Sequence, residues 1–303
     1  LTGSIHTLSL ISLPVTDIDE SIAPCFDTLS SRENLSYSKI NANKLVGDLF
    51  SYDEFKQTFD TILGGAGIES YSLSRFDMRF DSFDPGHYRD YAKLNRYLIS
   101  ALAVTYNVQN CYDSRNLFSQ KQVSVAIKNK RFECENYDKA AESGGRDPAY
   151  ARLELRSKCL TSNDIEKQFH GWYIRLDKAL KNLDKVHQRY NDELEKIYKE
   201  EKDAFPVKFR SLTDFLIQYQ NCIFCKAQMI DLLSRFDEVK NPETRAKNHK
   251  KRYGIEYFSK MDVEYAVAEI KRAAEKFFKG TEMNLFEKVE PPLLINIASK
   301  TND

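Results

Sequence analysis

The sequence predicts an α+β protein: a mainly antiparallel sheet with helices on one face over residues 1–160, then an all-α region over 161–303. Three observations carry this expectation. Six segments before residue 160 have strand character, and three of them alternate charged and apolar residues. Only two helical periodicities fall among these strands, which favours strands in runs over a strict βαβ order. From about residue 163 onward the apolar spacing changes to threes and fours.

The elements follow in order. Residues 4–13 and 34–42 read as strands. Ser51 with Glu54 forms a capping-box pattern, Phe55, Phe59, Ile62 and Leu63 continue it at helical spacing, and Gly64-Gly65 ends the helix. A strand is expected at about 70–81, a turn at Asp84-Pro85-Gly86, and a second helix through Tyr88, Tyr91, Leu94, Leu98 and Leu102. Strands at about 121–129, 131–138 and 149–158 complete the set, with Gly144-Gly145 and Asp147-Pro148 in the loop before the last. In the helical region, Leu176, Leu180, Leu183, Val186, Leu194 and Ile197 form one stripe, interrupted only at Tyr190. Its length suits packing inside the chain better than a coiled coil, though it also offers a homodimer surface. Ser211 is read as the cap of a long helix reaching about Phe236. Asn241-Pro242 opens a short helix that closes near Gly254, and Asp262 starts another that runs to Gly280.

Composition narrows the function. With 45 basic and 45 acidic side chains in 303 residues the net charge is zero, and residues 1–160 carry 19 basic and 21 acidic groups, so there is no general polycationic coat for nucleic acid. DNA binding would have to use local patches. The six cysteines lack the spacing of a disulfide framework, and no stretch reads as a membrane span or signal peptide. The expectation is a reduced, cytoplasmic protein.

The alternating strands carry the chemistry. In Arg75-Phe76-Asp77-Met78-Arg79-Phe80-Asp81 every second residue is charged, and a strand sends the two sets to opposite faces. Arg131, Glu133, Glu135 and Tyr137 share a face in the same way, as do Arg152, Glu154 and Arg156. One such strand is ordinarily a solvated face with cross-strand ion pairs. Three in one domain form a polar surface on which Asp77, Asp81 and Glu154 could hold a hard divalent cation, Mg²⁺ or Mn²⁺, beside a tyrosine nucleophile. Glu133 and Glu135 offer a base, a ligand or an ion-pair partner. Arg75, Arg79, Arg152 and Arg156 serve either to neutralise DNA phosphates or to pair with these acids.

These motifs resemble those of the rolling-circle plasmid replication initiators of the Rep_trans type. The Arg75–Asp81 strand is similar to that family's R-hydrophobic-D-hydrophobic-x-F-D strand. Upstream, Leu35-Ser36-Tyr37, Asn43-Lys44-Leu45 and Ser51-Tyr52-Asp53-Glu54 follow its order. Downstream, Asn136-Tyr137-Asp138-Lys139 resembles its Y-N-K-K segment, and Arg152-Leu153-Glu154-Leu155 its R-V-E-I strand. The gene II replication proteins of filamentous phages share a looser form of this layout. The resemblance implies a relaxed HUH/Rep-like fold and a metal-dependent nickase that opens one strand at a replication origin through a 5′-phosphotyrosine. It places Tyr137 as nucleophile, Asp77 and Glu154 as metal ligands, Asp81 as a secondary ligand and Lys139 against phosphate. It also implies a host helicase as partner, because the chain has no Walker A motif.

One departure is plain: no two of the five histidines form a His-hydrophobic-His pair. His6 and His87 are candidates only as single ligands, and Tyr150 is the second choice of nucleophile. Elsewhere, Cys222-Ile223-Phe224-Cys225 has C-x-x-C spacing inside an aromatic run, which reads as core packing. Lys247, Lys250, Lys251 and Arg252, with Arg245, form a basic helix that is either a solvated face or a DNA contact, with the Asp262 helix completing a helix-turn-helix-like unit. The alternatives to a replication initiator are a conjugative relaxase using the same chemistry, a non-catalytic DNA-binding regulator, and a helical scaffold joined to an unrelated sandwich.

Overall fold

The structure is a computed structural model that describes residues 1–13, 15, 18–32, 34–47, 49, 51–82, 88–108, 124–139, 151–202 and 209–279. The anticipated turn at 84–86, the loop pairs at 144–148, His87 and Tyr150 lie outside these residues, as does the side chain of His6.

Seven strands form one antiparallel sheet in the order β2-β3-β1-β4-β7-β6-β5. They are β1 (Thr2–Ser12), β2 (Phe26–Arg32), β3 (Leu35–Ile40), β4 (Tyr71–Ser82), β5 (Val125–Lys128), β6 (Phe132–Asp138) and β7 (Ala151–Lys158). The mixed α+β class with an antiparallel sheet is therefore as expected. The sequence reading lacked β2. Phe26–Arg32 lies at the sheet edge with most of its side chains exposed, so it has no apolar alternation to read.

The helices are α1 (Asn43–Val46), α2 (Tyr52–Gly65), α3 (Tyr88–Tyr106), α4 (Ile165–Leu180), α5 (Leu183–Lys202), α6 (Leu212–Gln218), α7 (Lys226–Ser234), α8 (Pro242–Tyr253) and α9 (Lys260–Lys279). The Ser51/Glu54 capping box is complete in both directions. Asn241 caps α8 on the Thr244 amide, and Gly254 closes it in the left-handed conformation at φ 64°.

Three helix expectations need correction. The 176–197 stripe is divided between α4 and α5 by a turn at Lys181 and Asn182. Its members Leu176, Leu183, Val186 and Leu194 are buried within this chain. The long helix expected after Ser211 ends at Gln218, and α7 begins only at Lys226. The buried Gln228 side chain holds the break open: it accepts from the Phe224 amide at 2.7 Å and donates to the Cys222 carbonyl at 2.9 Å, in place of helical hydrogen bonds. The last helix begins two residues before Asp262, because Ser259 is its cap and Asp262 the returning acid of the box.

Helices α2, α3, α4 and α9 all pack on one face of the sheet. Phe169 of α4 lies on Phe76 and Phe80 of β4, and Trp172 lies on Phe132 of β6 while donating to Ser157 at 2.9 Å. One hydrophobic cluster runs from Ile5 in the first strand to Phe278 in the last helix, across the boundary near residue 160. All described residues from 165 to 279 that are in regular structure are helical.

Candidate functional site: a buried ionic layer beside Tyr137

The other face of β4, β7 and β6 carries the charged residues. β7 lies between β4 and β6, so three rows form across the sheet: Asp77, Arg156 and Glu133; Arg79, Glu154 and Glu135; Asp81, Arg152 and Tyr137. The expected common face is thus assembled, but it is not a solvated one. Asp77, Glu135 and Glu154 are each only 2% exposed and Tyr137 only 7%.

Each acid meets a guanidinium. Arg75 clamps Asp77 with two hydrogen bonds of 2.6 Å. Arg152 clamps Asp81 at 2.6 and 2.8 Å. Arg79 donates to Ser4 of β1 at 2.8 Å and stands 3.8 Å from Asp81. Arg156 is the hub: it binds Glu154, reaches Glu133 at 2.5 Å and Glu135 at 2.9 Å, and lies 3.7 Å from Asp77. Lys158 approaches Glu133 at 3.5 Å. Bidentate pairs of this kind are strong, and a buried charge requires them.

Burial alone would raise the Glu133 carboxyl. The charge and hydrogen bond of Arg156, with Arg75 and Lys158 behind it, outweigh burial and hold Glu133 below the usual carboxylate range. Burial likewise works against the charged form of Arg156, but the surrounding carboxylates hold its pKa above the ordinary guanidinium value. Arg75 is raised in the same way, burial being overcome chiefly by Asp77.

Tyr137 closes the layer at one end. Its hydroxyl donates to Glu154 at 2.5 Å, the same carboxylate whose other oxygen is held by Arg156. Lys139 stands over its ring at 5.8 Å. The neighbouring Asn136 points the opposite way, as strand alternation requires, and is locked to α3 through Asn95 at 3.0 Å and the Ala92 carbonyl at 3.2 Å. The tyrosine is therefore anchored from both faces.

The three carboxylates expected to share a cation are not gathered around one point. Asp77 and Asp81 are four residues apart on one strand, which separates them by about 13 Å. Among the described residues, no group of three or more His, Cys, Asp and Glu side chains is arranged to hold a metal ion. Asp77, Glu133, Glu135 and Glu154 instead surround the Arg156 guanidinium, which a cation would have to displace. The expected Mg²⁺ or Mn²⁺ does not fit these residues as they are paired. The sequence pattern contained Arg156 but not its central place, which depends on β7 lying between β4 and β6.

The basic residues of α8 stand apart from this layer. Lys247, Lys250, Lys251 and Arg252 are exposed. Lys250 reaches Glu256 at 3.3 Å, and Arg245 donates to Thr213 at 3.2 Å. Helix α8 packs chiefly on α7. Among the described residues no helix is long and apolar enough to cross a membrane.

No family model matches the chain. A curated relative, the uncharacterized protein MG281 of Mycoplasma genitalium, is 28% identical over 182 residues, which is 57% of this chain and 31% of that protein. The chain thus spans about a third of that relative's length. Among solved structures, a rolling circle replication initiator protein from Geobacillus stearothermophilus aligns over 52% of this chain and 74% of that one, at 8% identity and a TM-score of 0.28. That score is too low to define a shared fold.

Proposed function

We propose that the protein is a DNA strand-nicking enzyme of the replication-initiator kind, with Tyr137 as nucleophile. One observation carries the reading: a tyrosine hydroxyl hydrogen-bonded at 2.5 Å to the Glu154 carboxylate, inside a layer of arginines. A free phenol ionises only near pH 10, so it needs a base at its proton and positive charge nearby. Glu154 is that base. As the phenolic oxygen bonds to phosphorus, its proton passes to Glu154, the bond from phosphorus to the 3′ oxygen breaks, and the 3′ oxygen takes a proton from solvent. Arg156 fixes the orientation of Glu154. Lys139 faces the developing charge from the ring side, and Arg75, whose side chain is 28% exposed at the other end of the layer, would meet a phosphate further along the strand. The order of motifs along the chain supports the same reading, and it extends to a rolling-circle origin as substrate with a separate helicase opening the duplex.

The test is a labelled single-stranded hairpin incubated with the protein, with Mn²⁺ or with a chelator, and run on a denaturing gel. A protein–DNA adduct that is lost in Tyr137→Phe is expected. Glu154→Gln is expected to slow adduct formation by about 10²–10⁴-fold while DNA binding persists. An adduct that persists in Tyr137→Phe would move the nucleophile elsewhere.

A second reading rests on the exposed basic face of α8. It makes the protein a DNA-binding regulator in which the ionic layer is structural. Duplex binding that falls on reversal of Lys247 and Lys251, with no adduct from any hairpin, would favour it.

A further inference from the structure

On the helix side of the molecule, remote from the Tyr137 face, a cavity of about 430 Å³ opens between α3, α4, α5, α7 and the segment leading into α9. That volume lies within the range of small-molecule sites. Its lining combines three features. The first is polar. Cys225 and His187 meet at 3.5 Å between Sγ and Nε2, and the Tyr97 hydroxyl binds the same imidazole nitrogen. The Tyr257 hydroxyl is buried and has no hydrogen-bond partner among the described residues. Burial, with Cys225 beside it, pushes its pKa up to about 12, so it is a neutral donor. Burial also lowers the His187 pKa, leaving the ring neutral with one nitrogen to donate and one to accept.

The second feature is positive. Lys181, Lys226 and Lys260 stand at the rim with the acid Asp184, while Lys260 also pairs with Glu264 at 3.6 Å and Asp262 accepts from Ser259 behind it. Three helices start there, α5 at Leu183, α7 at Lys226 and α9 at Lys260, and their amino ends favour an anion. The third is flat: Tyr257 and Phe258 form adjacent half-buried aromatic walls. A free phosphate would use only the rim, and an apolar ligand would use neither the lysines nor the Tyr257 hydroxyl.

We propose that this cavity binds a mononucleotide, with its phosphate monoester at the lysine rim and its base against Tyr257 and Phe258, the base edge meeting Tyr257, His187 and Cys225. The site is separate from the nicking chemistry, and its test does not use Tyr137.

Cys225 is a built-in reporter, since a ligand in the cavity shields its thiol. The protein is treated with iodoacetamide, and labelling is followed by peptide mass spectrometry, with the exposed Cys159 as the internal control. The probes are the four deoxynucleoside monophosphates, the matching nucleosides, and inorganic phosphate. At least one monophosphate is expected to slow labelling of Cys225 but not of Cys159, while nucleoside or phosphate alone at equal concentration gives little protection. Lys226→Glu with Lys260→Glu, both at exposed first positions of helices, should weaken that protection by about tenfold, the worth of roughly one charge-assisted hydrogen bond. Tyr257→Phe should weaken it without changing the melting temperature. Equal protection by phosphate alone would reduce the cavity to an anion site and overturn the proposal. So would protection unchanged in the double lysine variant, or no protection by any monophosphate at millimolar concentration.

Discussion

On one side of β4, Phe76, Met78 and Phe80 are covered by α4 and its neighbours. On the other side of the same strand, Asp77 and Asp81 are almost as inaccessible, yet their partners are guanidinium groups. The first face is held by contact area, which is additive and insensitive to pH. The second is held by matched charges, each of which is strongly unfavourable without its partner. Two faces of one sheet thus have similar burial and opposite failure modes. This explains why a pattern that looks like an ordinary solvated strand in sequence can form a buried ionic layer.

The largest effects should separate these failure modes. Phe169→Ala, in a fully buried ring touching Phe76, Phe80, Tyr173 and Phe278, is expected to lower unfolding free energy by about 3–5 kcal/mol in urea titrations, equally at pH 5 and pH 8. Arg156→Met should produce a loss of about 3–5 kcal/mol at neutral pH. That loss should shrink as pH falls, because protonation relieves the four carboxylates left without their hub. A pH-independent loss in Arg156→Met would erase the distinction between the two faces.

Smaller effects sharpen it. The folded-state pKa of Glu133 lies below its unfolded value near 4.5. Its contribution to stability is therefore complete above that value and is lost as pH falls through the folded pKa. The urea midpoint of the unmodified protein should decline below about pH 4.5, and Glu133→Gln should flatten that decline. Smallest is Lys158→Met. Its ion pair with Glu133 is 3.5 Å long, its side chain is 22% exposed, and less than about 1 kcal/mol is expected from the same titration.

The difference between the faces also set what the sequence could reveal. Alternation in β4, β6 and β7 was legible because most of the residues between the charged ones are apolar and meet helices. The shared polar face followed from it. The pairings within that face were not legible. Whether Arg156 meets Asp77 or Glu133 depends on which strand lies beside β7, and alternation within a strand is silent about its neighbours. β2 was missed for the converse reason: at the sheet edge Asp27, Thr28, Leu29 and Ser30 are all exposed and offer no buried face to pattern. The break before α7 escaped because it is held by one side chain, Gln228, acting on backbone groups four and six residues upstream.

The position of β7 has a consequence in time. During synthesis the sheet can grow only as two separate pieces, the sequence-local group of β1 to β4 and the β5–β6 hairpin, because the strand that joins them is the last to leave the ribosome. Each piece presents an open edge until residues 151–158 arrive, and such edges invite pairing with other chains. The acids of β4 and β6 are held apart until then, and Tyr137 gains its hydrogen bond to Glu154 only when the central strand enters. A chain interrupted before β7 would therefore lack both the seam of the sheet and the partner of its tyrosine.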